Sequence, residues 1–125
     1  LVGLNLLHDK FRQVPVYKVR ELVENNACII DVREEKKYKK GHLINAVNIP
    51  MSQFRDRLSE IPTDVPVYLH CRSSQRSYNV ICALQKLGYT NVYNISGSYL
   101  GISFYEYYRD KAEGRKPIVT EYNFA

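Results

Sequence analysis

Tyr68-Leu69-His70-Cys71-Arg72-Ser73-Ser74-Gln75-Arg76-Ser77 decides how this chain folds. Its upstream end, Pro66-Val67-Tyr68-Leu69, is a short apolar run rich in β-formers that follows Pro62 and reads as a buried strand. From Ser77 the pattern turns helical: Val80, Ala83, Leu84 and Leu87 share one face, and Gly88 sits where a helix C-cap belongs. Between strand and helix lies a loop, Cys71 to Arg76, that opens with a thiol and closes with a guanidinium. A loop at a helix N-terminus aims unpaired backbone N–H groups at whatever fills its centre. Those dipoles, with Arg72 and Arg76, are expected to stabilise a thiolate at Cys71 and to hold a small sulfur anion or oxyanion.

The flanking sequence repeats the strand–helix alternation. Residues 1–13 read as an arm or linker, turning from apolar to basic. Val14-Pro15-Val16 fits a brief edge strand, since Pro15 lacks a ladder donor. Lys18 to Glu24 has helical spacing and ends at Asn25-Asn26; Cys28-Ile29-Ile30-Asp31-Val32 is a strand, and Glu35 to Lys40 a charged helical turn. Ala46 to Ile49 is a third strand. Ser52 then fits the cap of a short helix with Phe54 and Leu58 on one face. Asn91 to Ile95 is another strand, and after Ser96-Gly97-Ser98 a last helix carries the stripe Leu100, Phe104, Tyr107, Tyr108. The alternation predicts an α/β fold with a mainly parallel central sheet, flanked by helices on both faces, over 14–112, with 113–125 as a tail. Ligands in such folds sit beyond the carboxyl ends of strands. Asp31 and Arg33 end one strand, His70 and Cys71 end another, and Gly97 follows a third, so the polar residues converge on one sheet edge.

A chain of 125 residues, 45% hydrophobic and 25% charged, suits one globular domain. No apolar run is long enough to cross a bilayer and no secretory signal is visible, which points away from a membrane partner. The net charge of +5 favours anionic partners. Its densest patch, Lys36, Lys37, Lys39 and Lys40, reads as a solvated helix surface, and no nucleic-acid module appears. Cys28, Cys71 and Cys82 are odd in number and lack metal-ligand spacing, so free thiols, a reducing cytoplasmic setting and no metal are expected. Cys28 and Cys82 fall in apolar runs as packing residues, and His70 reads as a strand residue facing the core. Only Cys71 has an electropositive loop around it.

These segments, in order over roughly residues 14 to 110, resemble a rhodanese domain of the sulfurtransferase family. Asp31-Val32-Arg33-Glu34 is similar to its early acidic-arginine motif, and Gly41-His42-Leu43-Ile44-Asn45-Ala46-Val47-Asn48-Ile49-Pro50 to the segment that follows. Cys71 to Arg76 is similar to its active-site loop, and Gly97 to its late glycine turn. The resemblance implies that Cys71 is a nucleophile accepting a sulfane sulfur from thiosulfate or a persulfide and yielding it to a thiol or cyanide. Arg72, Ser73, Ser74, Gln75 and Arg76 would bind the donor, with Asp31 and Arg33 supporting the loop or, alternatively, pinning two strand ends as an ion pair. Asn45, Ser74 and Ser98 stand where the family carries glycine, and no tryptophan follows Ser98.

The arm and Tyr122-Asn123-Phe124 also resemble segments around rhodanese domains fused to flavin-dependent coenzyme A-disulfide reductases. The chain, which begins at Leu1, would then be a carboxy-terminal piece with no cofactor of its own, while FAD and coenzyme A would belong to an upstream flavoprotein domain. Two rivals stay open. His70-Cys71 with Arg76-Ser77 approaches a cysteine phosphatase or arsenate reductase signature, but with four intervening residues, one fewer than that signature has. A non-catalytic module presenting sulfur to a partner is the other.

Overall fold

The computed structural model describes residues 13–73 and 75–124. Five short strands form one sheet: β1 (Gln13–Val14), β2 (Cys28–Asp31), β3 (Val47–Asn48), β4 (Val67–His70) and β5 (Val92–Ile95), in the order β1-β5-β4-β2-β3. Every pairing is parallel, and β4, the strand leading into the cysteine loop, is central, with Asp31 opposite His70 in the β2 register. Among the described residues four α-helices accompany the strands: α1 (Val19–Glu24), α2 (Glu35–Lys40), α3 (Gln75–Lys86) and α4 (Ser98–Glu113).

Alternation along the strands sends neighbouring side chains to opposite faces. Ile30, Val67, Leu69 and Val92 pack with Val80, Ile81 and Leu84 of α3 on one face. Ile29, Tyr68 and Ile95 pack with α1 and with Tyr99 and Ile102 of α4 on the other. The expected α/β architecture, a parallel sheet covered on both faces, is what the chain adopts. The end of α3 also follows its sequence. Gly88 takes φ 98°, and the N–H groups of Gly88 and Tyr89 bond back to Gln85 and Leu84, the paired bonds that close a helix through a left-handed residue.

Four local expectations are corrected. Val16 leaves the edge strand for a 3-10 turn, Val16–Lys18, which starts at Pro15. Residues 51–57 form successive turns closed by i to i−3 bonds, ahead of a 3-10 helix at Leu58–Glu60, so no helix is capped by Ser52. The Ser52 hydroxyl donates instead to the Glu34 carboxylate at 3.0 Å. The stripe expected on α4 is not its buried face: Phe104 and Tyr108 are exposed, while Tyr99, Ile102, Ser103, Glu106 and Asp110 point inward. Finally, residues 115–124 pack back on the sheet. Ile118 and Val119 are buried, Val119 bridges Leu43, and the N–H groups of Ile44 and Thr120 bond to Ile118 and His42 carbonyls. A Cβ on Gly41 would meet the Glu121 backbone oxygen at 2.8 Å, so this close passage needs glycine. Among the described residues no helix is long and apolar enough to cross a membrane.

Candidate active site

β4 delivers Cys71 to the carboxyl edge of the sheet, and α4 clamps its backbone from the other side. The Cys71 N–H donates to Ser98 Oγ at 3.2 Å, and its carbonyl accepts from the Tyr99 N–H at 2.9 Å. The next carbonyl, that of Arg72, accepts from the Leu100 N–H at 3.1 Å. Two helix N-termini therefore meet at one residue: α3 faces the sulfur and α4 holds its main chain.

Cys71 is only 2% exposed, and its Sγ is ringed by donors. The Ser77 N–H lies 3.4 Å away and the Ser77 hydroxyl 3.5 Å. Burial pushes the thiol up, but the Ser77 hydroxyl and the N–H groups of Ser77, Ser73 and Arg76 outweigh it and hold Cys71 below the ordinary cysteine value. The expected cradle is thus made of main-chain amides and a serine, with the guanidiniums of Arg72 and Arg76 exposed around it. Ser74 lies outside the described residues.

The sulfur sits at the floor of a pocket of about 450 Å³ lined by Arg33, Lys37, Arg72, Ser73, Gln75, Arg76 and Asn123. Of the residues expected at the site, Cys71, Arg72, Ser73, Gln75, Arg76 and Arg33 come together here. Asp31 stands behind Arg33. Its carboxylate takes three bonds from the buried guanidinium, the shortest at 2.7 Å, while the same Arg33 donates to the Gly41 carbonyl and lies 4.1 Å over the Tyr99 ring. Burial works to raise the Asp31 carboxyl, yet the His70 imidazole and the Arg33 guanidinium hold it below its usual range. The ion pair is local to the end of β2 and joins no second strand end; Arg33 ties it to the Gly41 carbonyl and lines the pocket.

His70 is fully buried, stacked on Tyr99, with Nδ1 3.0 Å from the Cys71 carbonyl oxygen and Nε2 without a hydrogen-bond partner. Burial pushes its pKa down, so the ring is neutral near pH 7 and faces the core. Cys28 and Cys82 are partly buried free thiols.

Four contributors escaped the sequence reading. Lys37, in the cationic patch that reads as a solvated helix surface, lines the pocket. Asn123 enters from the returning carboxy-terminal segment, its N–H bonded to Ser103 Oγ. Ser98 was visible only as a missing glycine. Ser77 was visible as the start of a helix, and its spacing of six from Cys71 was the signal that the ring closes on it.

A loop with its cysteine sulfur among backbone amides, after a central parallel strand and beside a buried Asp–Arg pair, marks the candidate site of this α/β domain. The Rhodanese-like domain family matches residues 16–103, and the chain belongs to that family. Among curated proteins, YqhL of Bacillus subtilis, itself uncharacterised, is 47% identical over 58% of this chain and 58% of its own length. A sulfurtransferase of Allochromatium vinosum is 35% identical over 58% of this chain and 67% of its own. The chain thus spans between just over half and two thirds of these two relatives. Among solved structures, CoADR-RHD of Bacillus anthracis matches with a TM-score of 0.71 and 33% identity, covering 78% of this chain and 17% of that one. An NAD-dependent persulfide reductase from A. fulgidus matches at 0.61 and 28%, again covering 78% and 17%.

Proposed function

We propose that this domain is a sulfurtransferase that carries a sulfane sulfur as a persulfide on Cys71. The observation that carries the reading is the Cys71 sulfur on the floor of a cationic pocket, ringed by the amides of Ser73, Arg76 and Ser77. With thiosulfate as donor, the thiolate attacks the outer sulfur. A Cys71 S–S bond forms, the S–S bond of thiosulfate breaks, and sulfite leaves with the bonding pair. A thiol or cyanide acceptor then attacks the terminal sulfur, forming a new persulfide or thiocyanate and returning the Cys71 thiolate. The amides stabilise negative charge on sulfur before and after loading, so both half-reactions use one cradle.

Arg72, Arg76 and Lys37 supply positive charge around the pocket for an anionic donor, and Gln75 and Asn123 add polar contacts. A volume of about 450 Å³ suits a low-molecular-weight organic persulfide as well as thiosulfate. The likeness to CoADR-RHD and to a persulfide reductase supports a place beside a flavin-dependent reductase, whose own domain would hold FAD and coenzyme A.

Incubation with thiosulfate, followed by intact-mass measurement, should add one sulfur atom to the protein and nothing to Cys71→Ser. A following thiol should remove it. A wild-type protein that stays unmodified would count against sulfur transfer. Steady phosphate release from an aryl phosphate would favour the phosphatase reading instead.

A further inference from the structure

Among the described residues, Ser77 Oγ has one proton and two acceptors in reach. Cys71 Sγ lies 3.5 Å away, and Asn94 Oδ1, on β5, lies 2.6 Å away. Both Ser77 and Asn94 are buried, at 0% and 3% exposure, so water does not arbitrate between them. The Asn94 carboxamide is itself anchored. Its Nδ2 donates at 3.2 Å to the side-chain oxygen of Gln13 on the edge strand β1, which keeps the carboxamide oxygen turned towards the serine. Parallel register places Gln13 directly opposite Asn94, so the anchor follows from the sheet itself.

The chain of contacts Gln13–Asn94–Ser77–Cys71 therefore divides the hydroxyl proton between the nucleophile and the nearer carboxamide oxygen. We infer that Asn94, anchored by Gln13, is a positioning residue that shares the Ser77 hydroxyl with Cys71, weakening its bond to the sulfur without abolishing it and keeping that sulfur basic enough to attack. The need for such a counterweight is chemical. Stabilising a thiolate raises its population but lowers its nucleophilicity, and the best attacking thiol has a pKa near ambient pH. The amides of Ser73, Arg76 and Ser77 already favour the anion. A full charge-assisted bond from the serine as well would trade reactivity for stability. This inference rests on reading Cys71 as the nucleophile, but alkylation reports on the sulfur whether or not transfer occurs.

The test is the pH profile of Cys71 alkylation by iodoacetamide on the intact chain, in a double-mutant cycle of Asn94→Leu and Ser77→Ala. The charged and titratable groups around the sulfur (Asp31 and His70 at the strand ends, and Arg33, Lys37, Arg72 and Arg76 around the pocket) are the same in every variant. Asn94→Leu should free the hydroxyl for sulfur and move the midpoint acidward, giving about tenfold more thiolate on the acid side. Its transfer rate per thiolate should fall about threefold. Gln13→Ala should move the midpoint the same way by less, and gives the answer independently where leucine at 94 lowers stability. In the Ser77→Ala background, Asn94→Leu should do nothing further. No shift in either single variant, an alkaline shift, or a shift of equal size without the serine hydroxyl would overturn the assignment.

Discussion

Ser98 shows how much one side chain can carry. It opens α4 at φ 47°, a left-handed conformation that costs a side-chain-bearing residue about 1 kcal/mol relative to glycine. The hydroxyl offsets that cost by accepting from the Cys71 N–H and donating to the Ile95 carbonyl, each at 3.2 Å. Ser98→Ala keeps the strained φ and strips the buried Cys71 amide of that acceptor, so it should lose about 1–2 kcal/mol in urea unfolding. Ser98→Gly relieves the backbone while losing the same bonds, and should fall between alanine and wild type. An alanine variant as stable as the parent would show that the hydroxyl does not hold the loop. The sequence showed Ser98 as a departure from a pattern. What the departure did for Cys71 depended on a contact across 27 positions, which no local reading contains.

At the level of elements, legibility follows from how local the determining forces are. β2, β4 and β5 were readable because apolar β-formers sit between turn residues. α3 was readable because apolar spacing and Gly88 agree. α4 was misread for a physical reason. Its apolar count favours Leu100, Phe104 and Tyr108, but its polar face buries an ion-pair network. Glu106 and Asp110 accept from Arg20 of α1, at 3.0 and 2.9 Å, and also from Arg115; Tyr122 donates to Asp110 at 2.6 Å. Both arginines are about one-fifth exposed, so solvent weakens the pairs, yet Glu106 itself is at 1%. Removing that charge by Glu106→Gln leaves the guanidiniums under-paired and should cost about 2–3 kcal/mol. Tyr108→Ser, at 65% exposure, should change stability by no more than about 0.5 kcal/mol. Urea midpoints that ranked the two variants the other way would restore the aromatic stripe as the packing face. The turns at 51–57 were misread because a serine followed by apolar residues at helical spacing fits a stack of i to i−3 turns equally well.

Across the whole molecule, three separate segments converge on Cys71: the end of β4, the N-terminus of α3 and the N-terminus of α4, with Arg33 and Asn123 of the returning segment completing the pocket wall. The convergence on one sheet edge was readable from strand ends alone. The closing role of the carboxy-terminal segment was not, because Ile118, Val119 and Asn123 gain partners only once the sheet exists. The consequence of the assembled fold is a thiolate favoured by amides against the penalty of burial. The sign is definite: a lowered pKa means the anion is populated from a more acid pH upward, and alkylation should rise through that lower midpoint and level off. The most direct measurement is therefore the titration of Cys71 in the intact chain, by thiolate absorbance and by iodoacetamide rate together. The account predicts a midpoint clearly below the ordinary cysteine value of 9.0, moved upward by Ser77→Ala. A midpoint at or above 9.0, indifferent to the serine, would contradict it.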